Sequence, residues 1–214
     1  MLIVPYGAAR SEFRVSNSRF LAAIAPADSV AQARAFIAGI RGEFPDATHC
    51  VPAFLIGGGN SVTEFCSDDG EPSGTAGRPL LAVLKGSGLG NAAIAVLRWF
   101  GGTQLGTGGL VKAYSEAGRL AVAAVRRAAL VPGLRARVVL PYHLFDRARL
   151  ALAACGATVL REDFAESVCL ELEFPAEVRE ELARRLADLG SGTLDLETIG
   201  ETVIRTPLDG GGNA

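Results

Sequence analysis

More than half of the 26 glycines in this 214-residue chain fall between residues 57 and 118. Glycine loses more backbone freedom on ordering than any other residue and interrupts helices and strands. A block of this kind therefore reads as tight connections between short elements. Its first segment, residues 67–79 (SDDGEPSGTAGRP), crowds the carboxylates of Asp68, Asp69 and Glu71 beside Ser73, Thr75 and Arg78. Asp-Gly and Pro-Ser-Gly are turn chemistry. Carboxylates so close together would also hold a hard cation, with magnesium at Asp69 and Glu71 the candidate, or shift one another's pKa.

The second segment, residues 101–109 (GGTQLGTGG), follows the apolar run 92–100, whose one charge is Arg98, and precedes a helix expected over 110–130. A helix start presents amides without intrahelical partners, and its dipole favours an anion. Gly102, Thr107, Gly108, Gly109 and Lys112 suit such a site; a tight crossover needing positive φ would use the same glycines. Residues 85–90 (KGSGLG) lead into a strand and read as a turn. The chain has no Walker A pattern and no G-x-S-x-G elbow. Four scattered cysteines without a CxxC pair, and two histidines, do not compose a closed zinc site. His49 reads as an ordinary hydrogen-bonded residue at a strand start, and nothing near Cys66 in sequence would lower its pKa.

On either side of this block the periodicities are regular. Strands are expected at 12–15 and 20–24, then a helix capped by Asp28 or Ser29 and ended by Pro45, with Val30, Ala33, Ile37, Ile40 and Phe44 on one face. A buried strand follows at 51–56, where Pro52 favours an edge or a bulge. Pro132-Gly133 is the expected domain boundary. Beyond it come strand 137–140, helix 144–155, strand 158–161, strand 168–174 with strict alternation, a helix built on Val178, Leu182, Leu186 and Leu189, and strand 193–204. The order βαββαβ is that of a ferredoxin-like sandwich. The chain is thus read as α+β, with an N-terminal domain over 1–132, a ferredoxin-like domain over 134–206 and a disordered tail over 207–214.

A net charge of −2 gives no global attraction to polyanions, so nucleic-acid contact would need a local patch. Arginines come in pairs: Arg126 with Arg127, Arg135 with Arg137, Arg147 with Arg149, and Arg184 with Arg185. Trp99, Tyr114, Tyr142 and Phe145 are the aromatic residues available for base stacking. No apolar run is long enough to span a bilayer and no signal peptide is recognisable, which leaves the cytoplasm.

Four motifs, SDDGEPSGTAGRP, LRWFGGTQLGTGGLVKAYSEA, the opening IVPYGAARSEFRVSNSRFLA, and DATH at 46–49, resemble those of the YigZ/IMPACT family, with a match running over 3–203. The resemblance implies an N-terminal domain of the ribosomal protein S5 domain 2 type and a ferredoxin-like C-terminal domain, similar to domains IV and V of elongation factor G. It also implies a role linked to translation, which the eukaryotic relatives control under amino-acid stress. RNA, the ribosome or a translation factor would be the partner, through Arg147, Arg149, Arg184 and Arg185. The alternative is an enzyme or sensor for a phosphate-bearing small ligand held by the glycine loops. The family offers no catalytic residues to carry over. Two positions depart from its pattern: Asn17 stands where a lysine is usual, and Cys50 follows His49 directly instead of lying two residues beyond it.

Overall fold

A computed structural model describes residues 1–58 and 61–208. The chain forms two compact units, residues 1–129 joined by the returning end of the chain from Pro207, and residues 130–206.

The first unit opens with strand β1 (Leu2–Pro5) and is built on one antiparallel sheet. Its strands are β2 (Ala9–Val15), β3 (Ser18–Pro26), β4 (His49–Gly58), β5 (Ser61–Cys66) and β6 (Ala92–Trp99), in the order β2-β3-β6-β4-β5. Helix α1 (Val30–Glu43) covers one face, and α2 (Gly77–Gly86) with α3 (Gly106–Ala124) covers the other. The central strand β6 is therefore buried on both sides, which is why its sequence is a continuous apolar run. Its alternation sends Ala93, Ala95 and Leu97 towards α1, and Ile94 and Val96 towards α2 and α3.

Ser29, of the two candidates, caps α1 by accepting from the Gln32 N–H at 3.2 Å. Pro52 lies on the internal strand β4, not at an edge. It is tolerated because the β5 ladder stops at Ala53↔Cys66, and its carbonyl still accepts from the Ser67 N–H at 3.2 Å. The β2–β3 hairpin turns through Ser16 and Asn17, both at positive φ (46° and 66°). Asparagine adopts that conformation more readily than lysine does, which accounts for the residue at this departure from the family pattern. Gly101 is fixed by the same turn, since a Cβ there would lie 2.1 Å from the Asn17 carbonyl oxygen.

Two helix expectations are corrected. Helix α2 begins inside the segment 67–79, which reads from sequence as a loop with no helix in it; Pro79 falls in its first turn, where no N–H is needed. Helix α3 begins at Gly106 and ends at Ala124, and the apolar run after it forms strand β7 (Arg127–Leu140). Pro132 and Gly133 lie within β7, so the chain divides at Ala129 and Leu130. Gly133 is needed for close approach: a Cβ there would meet the Ile204 side chain at 2.9 Å.

In the second unit, α4 (Phe145–Ala154), β8 (Thr158–Phe164), β9 (Val168–Pro175), α5 (Arg179–Leu189) and β10 (Glu197–Pro207) follow β7. The strand order β10-β7-β9-β8 is the ferredoxin-like arrangement expected from sequence. Alternation is strict here. Ala136, Val138, Leu170, Leu172 and Phe174 pack under Ala148, Leu152, Leu182 and Leu186 of the two helices. Arg135 and Arg137 on β7 stand opposite Glu173 and Glu171 on β9, on the other face. Of the expected tail, Pro207 closes β10 and the Leu208 N–H donates to the Arg127 carbonyl at 3.0 Å. Residues 209–214 lie outside the described residues.

Candidate functional site

The three carboxylates of the first glycine segment go to three different places. Asp68 reaches across to the start of α2 and accepts from the N–H groups of Gly74 (2.8 Å), Ala76 (3.0 Å) and Gly77 (2.8 Å). Burial pushes its pKa up, but these three amides and the nearby Arg78 charge outweigh that, so the carboxyl titrates below its usual range. Asp69 accepts from the backbone N–H of Cys50 at 2.7 Å and pairs with Arg41, while its carbonyl contacts Nδ1 of His49 at 2.8 Å. Glu71 turns inward and keeps only 8% exposure.

Glu71 meets two residues supplied by different elements. Its Oε1 accepts from Arg98 Nη1 and from the Tyr114 hydroxyl, each at 2.7 Å, and His49 Nε2 stands 3.8 Å away. Arg98 follows Val96 in the strand alternation and so emerges on the α3 side of the sheet, where it is 5% exposed. Tyr114 comes from the apolar stripe of α3, which also carries Leu110, Ala113 and Ala117. Burial, then the hydrogen bond to Glu71 and its charge, holds the Tyr114 hydroxyl far above its ordinary pKa, making it a fixed donor. The Arg98 guanidinium lies 5.6 Å from the Phe20 ring centroid and 5.5 Å from that of Phe100. Its Nη2 has one long contact, to Ser18 Oγ at 3.4 Å, and its Nε has no hydrogen-bond partner.

Glu71 and Arg98 line a cleft of about 400 Å³ whose other walls include Phe100, Gln104, Thr107 and Leu110. The start of α3 forms its rim. Gly102 and Gly106 are required there for positive φ (85° and 68°). Gly109 has a steric reason, a Cβ at 3.0 Å from that of Leu105. Gly108 has neither: its φ is not positive and a Cβ would meet open space, so alanine would favour the helix there by about 1 kcal/mol.

Of the residues singled out from sequence, Glu71, Arg98 and Thr107 meet at this cleft, with Gly102, Gly108 and Gly109 in the loop and helix turn beside it. Ser73 and Arg78 are exposed, and the Thr75 hydroxyl donates to the Pro72 carbonyl at 2.6 Å. Lys112 lines a neighbouring groove with Phe13, Val15 and Glu116. Asp69 and Glu71 are each bound by cationic and neutral donors, and no group of three or more metal-ligating side chains exists among the described residues. The arrangement does not fit magnesium at that pair. Burial raises the thiol pKa of Cys50 and Cys66 above the ordinary value. A larger groove of about 640 Å³, lined by Val83, Val122, Arg119 and Arg127, has no buried charge: Arg119 pairs with Glu116, and Arg127 donates to the Ser87 carbonyl.

Arg98 stands out in sequence as the one charge in a buried strand and Glu71 as one of three clustered carboxylates, but the Tyr114 hydroxyl that joins them does not. A tyrosine on the apolar stripe of α3 was the available signal, because a buried hydroxyl needs an acceptor.

Residues 16–122, the part that builds this cleft, match the Impact N-terminal domain, and residues 138–193 match a domain of unknown function, DUF1949. An Escherichia coli protein described as IMPACT family member YigZ is 37% identical over 188 residues, 87% of this chain and 92% of that protein. The chain belongs to the IMPACT family. A Haemophilus influenzae IMPACT family member is 32% identical over 92% of this chain and 96% of its own. A crystal structure described only as that of a hypothetical protein is 35% identical, covers 93% of this chain and 97% of that one, and superposes with a TM-score of 0.58. The match therefore runs along nearly the full length of these proteins. No helix among the described residues is long and apolar enough to cross a membrane.

Proposed function

We propose that this IMPACT family protein is a translation-linked regulatory binding module, acting in the cytoplasm by contact with RNA, the ribosome or a ribosome-associated factor. Family membership supports the link to translation. The contact itself rests on one observation in the second unit: an arginine and exposed aromatic rings meet at the start of α4. Arg149 places its guanidinium 5.6 Å from the centroid of Phe145, Phe164 packs on Phe145 and stacks with Tyr142, and Tyr142 and Phe164 are 52% and 51% exposed. Arg147 is exposed on α4 and Arg184 on α5, two helices of the same layer. Exposed rings accept stacked bases, and arginines track phosphates. Arg185 contributes less, being paired with Glu181 at 2.6 Å.

Because the net charge is −2, binding depends on this local patch and is salt-sensitive. Co-sedimentation with ribosomes from the organism that encodes the protein should be visible at low salt and fade at moderate salt. Replacing Arg147, Arg149 and Arg184 by alanine should remove it, lowering the salt slope by about 0.7–0.9 for each phosphate no longer neutralised. Absence of co-sedimentation at low salt, or binding indifferent to the triple substitution, would reject this surface. The alternative of a phosphate-bearing small ligand is favoured by the Arg98 cleft.

A further inference from the structure

We infer that β2 pairs with β2 of a second copy of this chain, antiparallel about a two-fold axis at Phe13, so that two five-stranded sheets become one. Ribosome contact by the second unit neither requires nor excludes this.

Strand β2 is an open edge. Among the described residues it pairs only with β3, in unbroken register from Ala9↔Ile24 to Val15↔Ser18. It contains neither a proline nor a bulge, two devices that blunt an edge strand. By contrast β8, an edge of the second unit's sheet, breaks register between Val159 and Arg161. A regular row of free N–H and C=O groups is a template for another strand.

The side chains select which strand fits. Ala9, Phe13 and Val15 pack against the core, so Arg10, Glu12 and Arg14 stand exposed on the other face. Glu43 holds Arg10, and Glu12 pairs with Arg19. Arg14 has no ion pair among the described residues and lies opposite Arg19, a like charge.

A two-fold axis perpendicular to the sheet keeps each face on its own side, so it must pass through a residue of β2. An axis at Glu12 sets Glu12 against itself and Arg10 against Arg14, and an axis at Arg14 sets Arg14 against itself. Like charges directly opposite one another are destabilising. An axis at Ser11 brings Glu12 to Arg10, which Glu43 already holds. Only an axis at Phe13 brings Arg14 to the partner's Glu12, and it does so twice. A carboxylate has about four acceptor sites, so Glu12 can serve Arg19 and the incoming Arg14 together. The same axis sets Phe13 against the partner's Phe13, an aromatic cross-strand pair. That pair closes the groove of about 560 Å³ beside this edge, whose apolar walls are Phe13, Val15, Leu105 and Ala113.

The test is sedimentation equilibrium of the full chain with a charge-exchange cycle. Wild type should dimerise at or below about 100 μM. Arg14→Glu and Glu12→Arg each set like charges opposite one another twice, and each should weaken association by about tenfold or more. Both positions are exposed, so thermal midpoints should hold. The double exchange Glu12→Arg/Arg14→Glu restores opposite charges in the same register and should recover most of the association. A wild-type chain that stays monomeric at about 100 μM would overturn the proposal. So would a dimer indifferent to the single reversals, or one that the double exchange fails to rescue.

Discussion

Arg98 with Glu71 in the first unit and Arg137 with Glu171 in the second are the same chemical pair placed in opposite surroundings. The first has side chains 6% and 3% exposed and is joined at 2.7 Å; the second has side chains 44% and 32% exposed and is joined at 3.4 Å. In the interior each charge has lost its water, so the pair holds only while both members and Tyr114 are present. On the open sheet face water solvates either partner alone. Cross-strand neighbours of opposite sign there cancel the field that would otherwise draw a polyanion to the sheet. The same residue types therefore build a demanding, fixed site in one unit and a neutral, tolerant surface in the other.

Substitutions at three places test that contrast. Arg98→Met leaves Glu71 buried and uncompensated and should cost about 3–5 kcal/mol in urea unfolding, with much of the loss restored in Arg98→Met/Glu71→Gln. A loss below about 1 kcal/mol would mean water reaches the pair and would erase the distinction. Asp68→Asn is intermediate, because the side chain is partly exposed but serves three amides; about 1–2 kcal/mol at neutral pH is expected. The folded Asp68 carboxyl lies below the unfolded value of about 3.9. Its stabilisation is therefore complete above that pH and is lost as the pH falls through the folded value. Urea midpoints of wild type and Asp68→Asn should converge on acidification, and a constant gap would show that the amides do not lower the Asp68 pKa. The smallest effect belongs to Arg137→Gln or Glu171→Gln, at most about 1 kcal/mol and shrinking with added salt.

Much of the fold was legible because its signals are local. The alternation of β9, the stripe of α5 and the apolar run of β6 each occupy one stretch of sequence. Misreading arises where one local pattern admits two structures. The run after Ala124 is equally apolar as helix or strand, and only its pairing with β1 and β10 decides for a strand. The start of α2 is hidden because it is capped by Asp68, eight and nine residues upstream of the amides it accepts from. The site was legible as a region and not as an arrangement. Asp68, Asp69 and Glu71 look like one acidic cluster in sequence, whereas their partners lie up to 43 positions away and divide them among three tasks.

The entry and exit of the second unit are neighbours. β7 leads out of the first unit, β10 leads back, and Leu208 closes on Arg127. In topological terms residues 130–206 are a cassette spliced into a host whose ends are already stitched together. A cut at Pro132-Gly133 would sever a strand and leave two ragged edges, whereas excision of the whole cassette with a short bridge would ask the host only to span a gap it already closes.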